Sequence, residues 1–280
     1  MQAKTIALFM ALILTAGALQ FHYDTQVEYF AERQAFVTLP DGKTLKVLSF
    51  GYRNLVADFL FIWAIQFYSA THITNRFDYI ENIFDVITDL NPRFKAPYLV
   101  GSWIMGLEGG RYRMAIRLLE KGARNNPEEW IFEYDAGFYA YRDLKDLELA
   151  EKLFKQAAER PNAPPLIRRK WAHMVYMQDN LDYAFRLWKE IERSADDQLS
   201  RDSAFHHLYQ IDFERDKQLL KRAIGEFRRR FGRNPAELAE LRVRGILKEI
   251  PRDYQGRDYR YDPESGTIKA RRNYKWKSSY

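Results

Sequence analysis

The stretch "GGRYRMAIRLLEKGARNNP", residues 109–127, carries the pattern that decides the fold. Its paired glycines allow two interpretations: a loop that cradles a phosphate at a helix N-terminus, or a turn inside a helical repeat. Ala115, Leu119 and Gly122 stand at positions i, i+4 and i+7, so in a helix they share one face. Small residues on either side of a large one let a second helix approach closely, and Pro127 ends the run. The stretch therefore predicts a helix packed tightly against a neighbour.

The same small-then-large pattern returns about every 35 residues along the chain. The small residue is Ala115, Ala150, Ala184 and Ala223, and the large residue four positions later is Leu119, Phe154, Trp188 and Phe227. An aromatic-rich apolar segment precedes each copy, and an earlier copy with Ile80 in place of alanine lies at residues 77–92. A helical hairpin of this length buries its apolar face only by stacking on its neighbours, so the spacing predicts a repeat array.

This pattern resembles the tetratricopeptide repeat (TPR) family over residues 55–235. The resemblance implies an all-α fold, a right-handed solenoid of about five helical hairpins whose concave face is built mainly from the first helix of each repeat. The first repeat departs from the family pattern at Ile80, and the fifth carries an insertion and Arg230 at a normally small position. Residues 236–250 are predicted to form an amphipathic capping helix. The glycine pair then becomes the turn between the two helices of one repeat.

The N-terminus is typical of a targeting segment. Residues 5–21 are uncharged and mostly apolar, Lys4 precedes them, and acidic residues follow. About 17 residues is the lower limit for a spanning helix, so residues 1–22 are predicted to be a signal anchor or transmembrane helix. A cleavable signal peptide stays open, since "AGA" at 16–18 fits a cleavage site. Positive charge before the span predicts a single-pass protein with a cytoplasmic N-terminus and its domain in the periplasm, at a bacterial inner membrane.

Residues 23–54 are predicted to form a juxtamembrane helix and a cap, with a β-hairpin turning at "PDG", residues 40–42. Two stretches, residues 48–68 and 86–94, resemble membrane-anchored repeat proteins of bacterial envelopes. Small β-hairpins are thus expected at both ends of the repeats.

Residues 251–280 are predicted to form a second hairpin and a basic, aromatic tail. Residues 266–280 hold five basic residues and no acidic one, which leaves the rest of this chain of formal charge +6 nearly neutral. The candidate docking residues of the tail are Lys269, Arg271, Arg272, Tyr274 and Trp276. A protein groove, an anionic membrane surface and a solvated terminus all stay open as interpretations. Nucleic acid is not an expected partner, because a chain delivered outside the cytoplasm rarely meets it.

Nothing in the sequence points to catalysis. The chain has no cysteine, and none of its five histidines has metal-ligand spacing. No zinc-protease, serine-hydrolase or phosphate-loop motif occurs. We therefore expect no enzyme activity, cofactor, metal or small-molecule substrate. A hydrolase on a repeat fold would need a convergent pocket that the sequence does not reveal.

Two binding functions remain. The first is a membrane-anchored scaffold that binds protein partners during assembly of an envelope complex, such as a pilus, secretion or transport machine. Its predicted groove residues are Tyr139, Arg142, Arg169, His173, Tyr176 and Arg215. Tyr139 and Tyr176 can equally be core residues. The alternative is an integral accessory subunit of a stable membrane complex, docked through its anchor and basic tail.

Overall fold

A computed structural model describes residues 14–19, 22 and 34–272 of the chain. They fall into two compact units, Met1–Asn126 and Pro127–Tyr280, and each is described separately. Of the predicted membrane segment, only residues 14–19 and 22 are described, and most of the predicted juxtamembrane helix lies outside the described residues. Within the described part of the chain, no helix has both the length and the apolar character needed to span a membrane.

The first unit is built from packed helices. They are α1 (Gly42–Leu48), α2 (Arg53–Ser69), α3 (Phe77–Leu90), α4 (Lys95–Trp103) with a π-helical extension (Ile104–Glu108), and α5 (Tyr112–Asn125). The pairs α2–α3 and α4–α5 pack against each other as two helical hairpins, and α1 and α4 both pack on α3. The first two predicted repeats are thus present as hairpins.

The predicted hairpin around "PDG" is wrong, because this turn begins a helix. Asp41 is the N-cap of α1, and its Oδ1 accepts a hydrogen bond of 2.7 Å from the Thr44 backbone N–H. Gly42 is buried so closely on α3 that an added Cβ would lie 2.3 Å from the Cβ of Asp89. Residues 34–53 contain no strand. Aspartate is common both at helix N-caps and in turns. Here the close contact between Gly42 and α3 favours the helix, so Asp41 acts as its N-cap.

The second unit is also built from packed helices, followed by a short β-hairpin. Its elements are α6 (Ile131–Arg142), α7 (Leu147–Ala158), α8 (Pro165–Met177), α9 (Leu181–Ser194), α10 (Gln198–Phe231), α11 (Ala239–Val243), β1 (Arg260–Asp262) and β2 (Thr267–Lys269). Successive helices from α6 to α10 pack on one another. Asp146, Asn180 and Asp197 each accept a hydrogen bond from a backbone N–H in the first turn of α7, α9 and α10, respectively. These side-chain caps place the starts of the helices.

The small-then-large stripe lies in the core, as predicted. The alanines and their large partners are all buried: Ala115, Ala150, Ala184, Ala223, Leu119, Phe154, Trp188 and Phe227. Glycines on the first helices complete the close approach. A Cβ added at Gly137 would lie 3.1 Å from the Phe154 ring, and one at Gly101 would lie 2.7 Å from the Phe84 ring. Phe84 and Phe154 on the second helices of two repeats therefore pack directly on glycine backbone.

The glycine pair is the turn between α4 and α5. The N–H of Gly109 donates to the carbonyl of Ile104 at 3.0 Å, and Gly110 has a φ of +63°. Arg111 then donates to the carbonyl of Phe77 at 2.9 Å and pairs with Asp78 on α3. The pair thus closes a repeat, and Arg111 ties that repeat to the one before it.

Two predicted elements are wrong in extent. The fifth repeat is not a hairpin, because α10 is one helix of 34 residues. No glycine or proline occurs between residues 198 and 224 to break it, and it ends at Gly232, whose φ is +70°. The capping helix expected over 236–250 shrinks to α11, which has five residues. Gly245, with a φ of +68°, turns the chain there, and the N–H groups of Ile246 and Leu247 donate to the carbonyl of Leu241.

The predicted C-terminal hairpin is present. β1 and β2 pair antiparallel, with Tyr261 opposite Ile268. Tyr259 and Ile268 are buried in one cluster with residues of α10 and α11: Leu220, Ala223, Ile224, Phe227, Leu238 and Leu241. The hairpin therefore belongs to the core of the second unit.

Candidate protein-binding surface

Three of the predicted groove residues lie on one face of α8. Arg169, His173 and Tyr176 stand at positions i, i+4 and i+7, and each is half-buried. This face meets α10, with which α8 is in contact. Side chains of α10 complete it, and we call the six residues together the α8–α10 surface: Arg169, His173, Tyr176, Ser200, His207 and Gln210.

Each residue from α8 contacts one from α10. Arg169 donates from Nη1 to the Oγ of Ser200, and Ser200 in turn donates to the Oδ2 of Asp197 at 2.6 Å. The Nε2 of Gln210 donates to the hydroxyl of Tyr176 at 3.2 Å. The rings of His173 and His207 meet edge to face, 5.6 Å apart between centroids. Ser200 and His207 are buried and form a floor beneath the half-buried side chains.

The floor of the surface is aromatic and uncharged at neutral pH. His207 stacks on the indole of Trp188, with ring centroids 3.6 Å apart and planes 13° from parallel. Burial lowers the pKa of His207 well below its ordinary value, with a further contribution from His173. Burial, together with the charge of Lys170, lowers the pKa of His173 to about 4. Both imidazoles are therefore neutral above about pH 6.5 and can donate or accept hydrogen bonds.

Positive charge lies at one end of the surface. Arg169 and Lys170 are neighbours, and burial together with Arg169 lowers the pKa of Lys170. Asp197 partly balances them, since its hydrogen bonds from Ser200 lower its pKa and keep it ionised. A partner therefore meets cationic groups at this end and neutral rings in the middle.

The preceding repeat carries different side chains at the equivalent positions, 34 residues earlier in the chain. Asp135, Tyr139 and Arg142 each precede a member of the α8 face by 34 residues. Tyr139 is only 4% exposed, so it is a core residue, one of the two roles left open for it. The side chain of Arg142 is 40% exposed, pairs with Asp143 at 2.8 Å and lies over the Phe138 ring.

Arg215 lies in a different place from the other predicted groove residues. It pairs with Asp182 on α9 at 3.1 Å and lies over the Phe185 ring. These contacts put it at an open cleft of about 560 Å³ that is also lined by Asp179, Asp182, Asp212, Asp216 and Arg222. Burial, and then the charge of Asp216, raises the pKa of Asp212 to about 6. Among the described residues, no group of acidic or histidine side chains is arranged to hold a metal ion.

The tail residues are only partly placed. Lys269 is exposed on β2, Arg271 donates from Nε to the carbonyl of Asp258 at 2.6 Å, and Arg272 is exposed. Tyr274 and Trp276 lie outside the described residues. Two further C-terminal contacts come earlier in the chain, where Tyr209 donates to Asp253 at 3.0 Å and Tyr259 donates to Asp216 at 2.6 Å.

Sequence reasoning missed four residues of this region. Ser200, His207 and Gln210 follow Arg169, His173 and Tyr176 by 31, 34 and 34 residues. Asp135, whose pKa burial raises to about 6, precedes Arg169 by 34. The 34-residue spacing was the signal that could have found Asp135, His207 and Gln210, because equivalent positions of successive repeats lie side by side. Ser200 lies off that spacing.

No protein-family model and no curated protein matches this chain. Among solved structures, it is similar to YrrB, described as a TPR protein with an unusual peptide-binding site, at 16% identity and a TM-score of 0.38, over 51% of this chain and 71% of that one. It is also similar to a thermophilic TPR protein of Thermus thermophilus, at 19% identity and a TM-score of 0.35, over 60% and 95%. MamA from Desulfovibrio magneticus matches at 19% identity and a TM-score of 0.33, over 57% and 100%. With TM-scores this low, the helical-hairpin fold rests on the packing of this chain's own helices.

Proposed function

We propose that this chain is a membrane-anchored scaffold of the bacterial envelope that binds a protein partner on the α8–α10 surface. The observation that carries the proposal is the composition of that surface. Arg169, His173 and Tyr176 present half-buried polar groups from one helix face above a buried aromatic floor. Arginine and tyrosine are the residue types most enriched among binding hot spots, and a partly desolvated setting strengthens their hydrogen bonds.

The chemistry of the surface favours a peptide segment with a carboxylate. Arg169 can give a charge-assisted hydrogen bond to an acidic side chain at one end. The neutral rings of His173 and Tyr176 suit an apolar or aromatic side chain beside it. An extended or helical segment of a partner, laid across α8 and α10, would meet both.

The membrane part of the proposal rests on the order of charge along the sequence. Lys4 precedes the uncharged residues 5–21, which predicts insertion with the folded units on the periplasmic side. Leu14 and Leu19 are 68% and 65% exposed, so other parts of the chain leave them largely uncovered, and a bilayer would cover them. Protease added to intact spheroplasts should digest both units. Full protection would contradict the periplasmic location.

Partner binding can be tested by pull-down from detergent-solubilised membranes with the full chain. Arg169→Ala and Tyr176→Ala should each weaken the stoichiometric partner about tenfold or more, the loss typical of a hot-spot residue. Arg215→Ala is the control, because Arg215 is an arginine of the same unit that lies outside the α8–α10 surface and pairs with Asp182. Equal retention in all three variants, or equal loss, would reject the surface as the binding site.

The accessory-subunit alternative is favoured by one observation, the exposed basic side chains of Lys269 and Arg272 at the end of the hairpin. Lys269→Glu together with Arg272→Glu, in a chain that ends after Arg272, separates the two proposals. Loss of the partner from this shortened chain, with Arg169→Ala retaining it, would favour docking through the tail. Retention of the partner by the shortened chain, with its loss from Arg169→Ala, would favour the scaffold.

A further inference from the structure

The first unit exposes a group of large apolar side chains where α1 turns into α2. Six of them, which we call the corner face, are between 51% and 87% exposed: Val47, Phe50, Tyr52, Leu55, Phe59 and Ile62. Side chains of this size are normally covered, and exposed apolar groups that occur together mark interaction sites.

The α2 part of the corner face is one continuous stripe. Leu55, Phe59 and Ile62 stand at positions i, i+4 and i+7 and share a side of the helix. The buried residues Ala57 and Ala64 lie about 180° around the helix from this stripe, given 100° per residue. On its buried side α2 packs on α3, and its other side is also largely apolar, with Asp58 as the charged residue there. Its sequence is thus that of a helix covered on both sides.

Phe50 stands at the tip of the corner in a strained conformation. Its φ is +45°, a left-handed value that is rare for a bulky residue, and its side chain is the most exposed of the six. The turn is held by hydrogen bonds from Phe50 N–H to the carbonyl of Val47 at 3.2 Å and from Tyr52 N–H to that of Ser49 at 2.8 Å. Strain that the fold maintains without burying the ring is typical of a functional contact.

Basic residues outnumber acidic ones beside the corner face. Lys43, Lys46 and Arg53 are all exposed there. The acidic residues nearby are Asp41, the N-cap of α1, and the exposed Asp58 on α2. Basic residues next to exposed aromatic and aliphatic side chains are the pattern of segments that lie on anionic bilayers. A bilayer surface offers phosphate charge beside hydrocarbon, which matches both halves of this face.

A short segment of chain connects the first unit to its proposed anchor. Ala35 is tied to the start of α3, because its N–H donates to the Oδ1 of Asn75 at 2.9 Å and its carbonyl accepts from Tyr79 at 3.0 Å. Only 13 residues, 22–34, separate Ala35 from the end of the apolar residues 5–21, a reach of at most about 50 Å. Such a short tether makes docking effectively intramolecular once the anchor is inserted.

We propose that the corner face docks onto the surface of an anionic bilayer and lays the first unit against the membrane. The proposal rests on the anchoring described under the proposed function. The bilayer is the occupant that both the basic residues and the nearby apolar segment favour. A second protein on this face is the competing outcome.

The chain has no cysteine, so a single introduced cysteine can be labelled specifically. Phe50→Cys and Ile62→Cys, each carrying an environment-sensitive fluorophore, would be placed singly in the full chain and reconstituted in phosphatidylglycerol-containing nanodiscs with doxyl-labelled lipid. Arg113→Cys is the matched control, since it is exposed on α5, which packs on α3 and α4. Leu12→Cys reports on the anchor itself. We expect lipid quenching at positions 50 and 62 to exceed that at 113 several-fold.

Each result decides the proposal. Quenching at 50 and 62 no greater than at 113 overturns docking, whether or not position 12 is quenched. Quenching at 50 and 62 with none at 12 supports docking and contradicts the anchor. Labels at 50 and 62 that are shielded from aqueous iodide, yet unquenched by lipid, place a protein on the face and also overturn the proposal.

Charge reversal gives an independent check on the lipid. Lys43→Glu together with Lys46→Glu should weaken docking by about fivefold for each charge removed, and replacing phosphatidylglycerol by phosphatidylcholine should act in the same direction. Both residues are exposed, so these changes should leave the helices intact, as circular dichroism can verify. Unchanged quenching in both experiments would overturn the role of anionic lipid.

Discussion

The imidazole of His207 stacks on the indole of Trp188, with 3.6 Å between the ring centroids. Trp188 is the large residue of the repeat stripe on α9, and it is buried beneath the α8–α10 surface. His207 comes from α10 and contacts His173 and Tyr176 on α8. One stacked pair therefore joins the repeat core to the floor of the candidate binding surface, so that changes in either should affect the other.

This arrangement predicts a loss of stability in mild acid. The pKa values of His173 and His207 are lowered in the folded chain, so the unfolded chain binds more protons below about pH 6.5. The free energy of unfolding is therefore greatest above pH 6.5 and falls as the pH drops toward about 4, by up to about 1.4 kcal/mol per pH unit for each histidine.

Two carboxyl groups give the free energy of unfolding the opposite pH dependence. The experiment therefore needs a control variant that keeps both of them. Burial raises the pKa of Asp135 and Asp212 to about 6, so these groups add stability as the pH falls below 6. Urea unfolding of the natural chain should therefore be compared with His207→Gln at pH 7.5 and 5.0. The natural chain should lose about 1–2 kcal/mol more than the variant over this range. Parallel profiles would contradict the histidine assignment.

Glycines at the helix contacts should differ sharply in their tolerance of alanine. Gly101→Ala places a Cβ 2.7 Å from the Phe84 ring and 2.8 Å from Leu118, so we expect a loss of about 1–3 kcal/mol. Gly225→Ala is the control, since it lies inside α10 with nothing within 4 Å of the added Cβ. It should gain about 0.5–1 kcal/mol because alanine favours a helix. Thermal unfolding of both variants measures the difference, and a stable Gly101→Ala chain would show that the α3–α4 contact is looser than described.

The pair of Arg160 and Glu133 should matter more than a pair at the surface. Glu133 is buried on α6 and accepts two hydrogen bonds from Arg160, which also donates to the carbonyl of Pro127 at 2.9 Å. Arg160→Ala leaves this carboxylate buried without its counter-charge, and the expected loss is about 3–5 kcal/mol.

The matched control for that pair is Arg117→Ala. Arg117 pairs with Glu81 at 2.6 Å, and the Arg117 side chain is more than half exposed. Its removal should cost less than about 1 kcal/mol, because water screens an exposed pair. Denaturant unfolding compares the two variants, and equal losses would mean that burial of Glu133 does not strengthen its pair.

Shortening the chain at two points should have different effects. Ending it after Ile250 removes Tyr259 and Ile268, which are buried against α10 and α11. Burial of each contributes about 1.5–3 kcal/mol, so the second unit should lose at least about 3 kcal/mol. Ending it after Arg272 keeps both residues and should keep the stability within about 0.5 kcal/mol. Thermal unfolding distinguishes the two, and equal stability would show that the hairpin adds nothing to the core.

The binding surface could be predicted only in part. The residues on α8 followed from the repeat phase, since a helix fixes which side chains share a face. On α10, His207 and Gln210 lie at the same repeat phase and were missed, whereas Ser200 lies off that spacing and is placed only by the contact between α8 and α10. Arg215 was assigned to the groove from the phase of the alanine stripe, and its ion pair with Asp182 on α9 places it outside the α8–α10 surface.

By itself, the sequence determined the features that depend on near neighbours in the chain. The alanine stripe, the turn at Gly109–Gly110 and the hairpin at Asp262–Gly266 follow from helical periodicity and turn chemistry, which act over a few residues. The tertiary structure decided the features on which local rules are silent. Contact with Asp89 turned "PDG" into a helix start, and packing buried Tyr139 but left Phe50 exposed. Burial depends on how the helices pack together. It decides which of two locally acceptable conformations a segment adopts and which of its apolar side chains are covered.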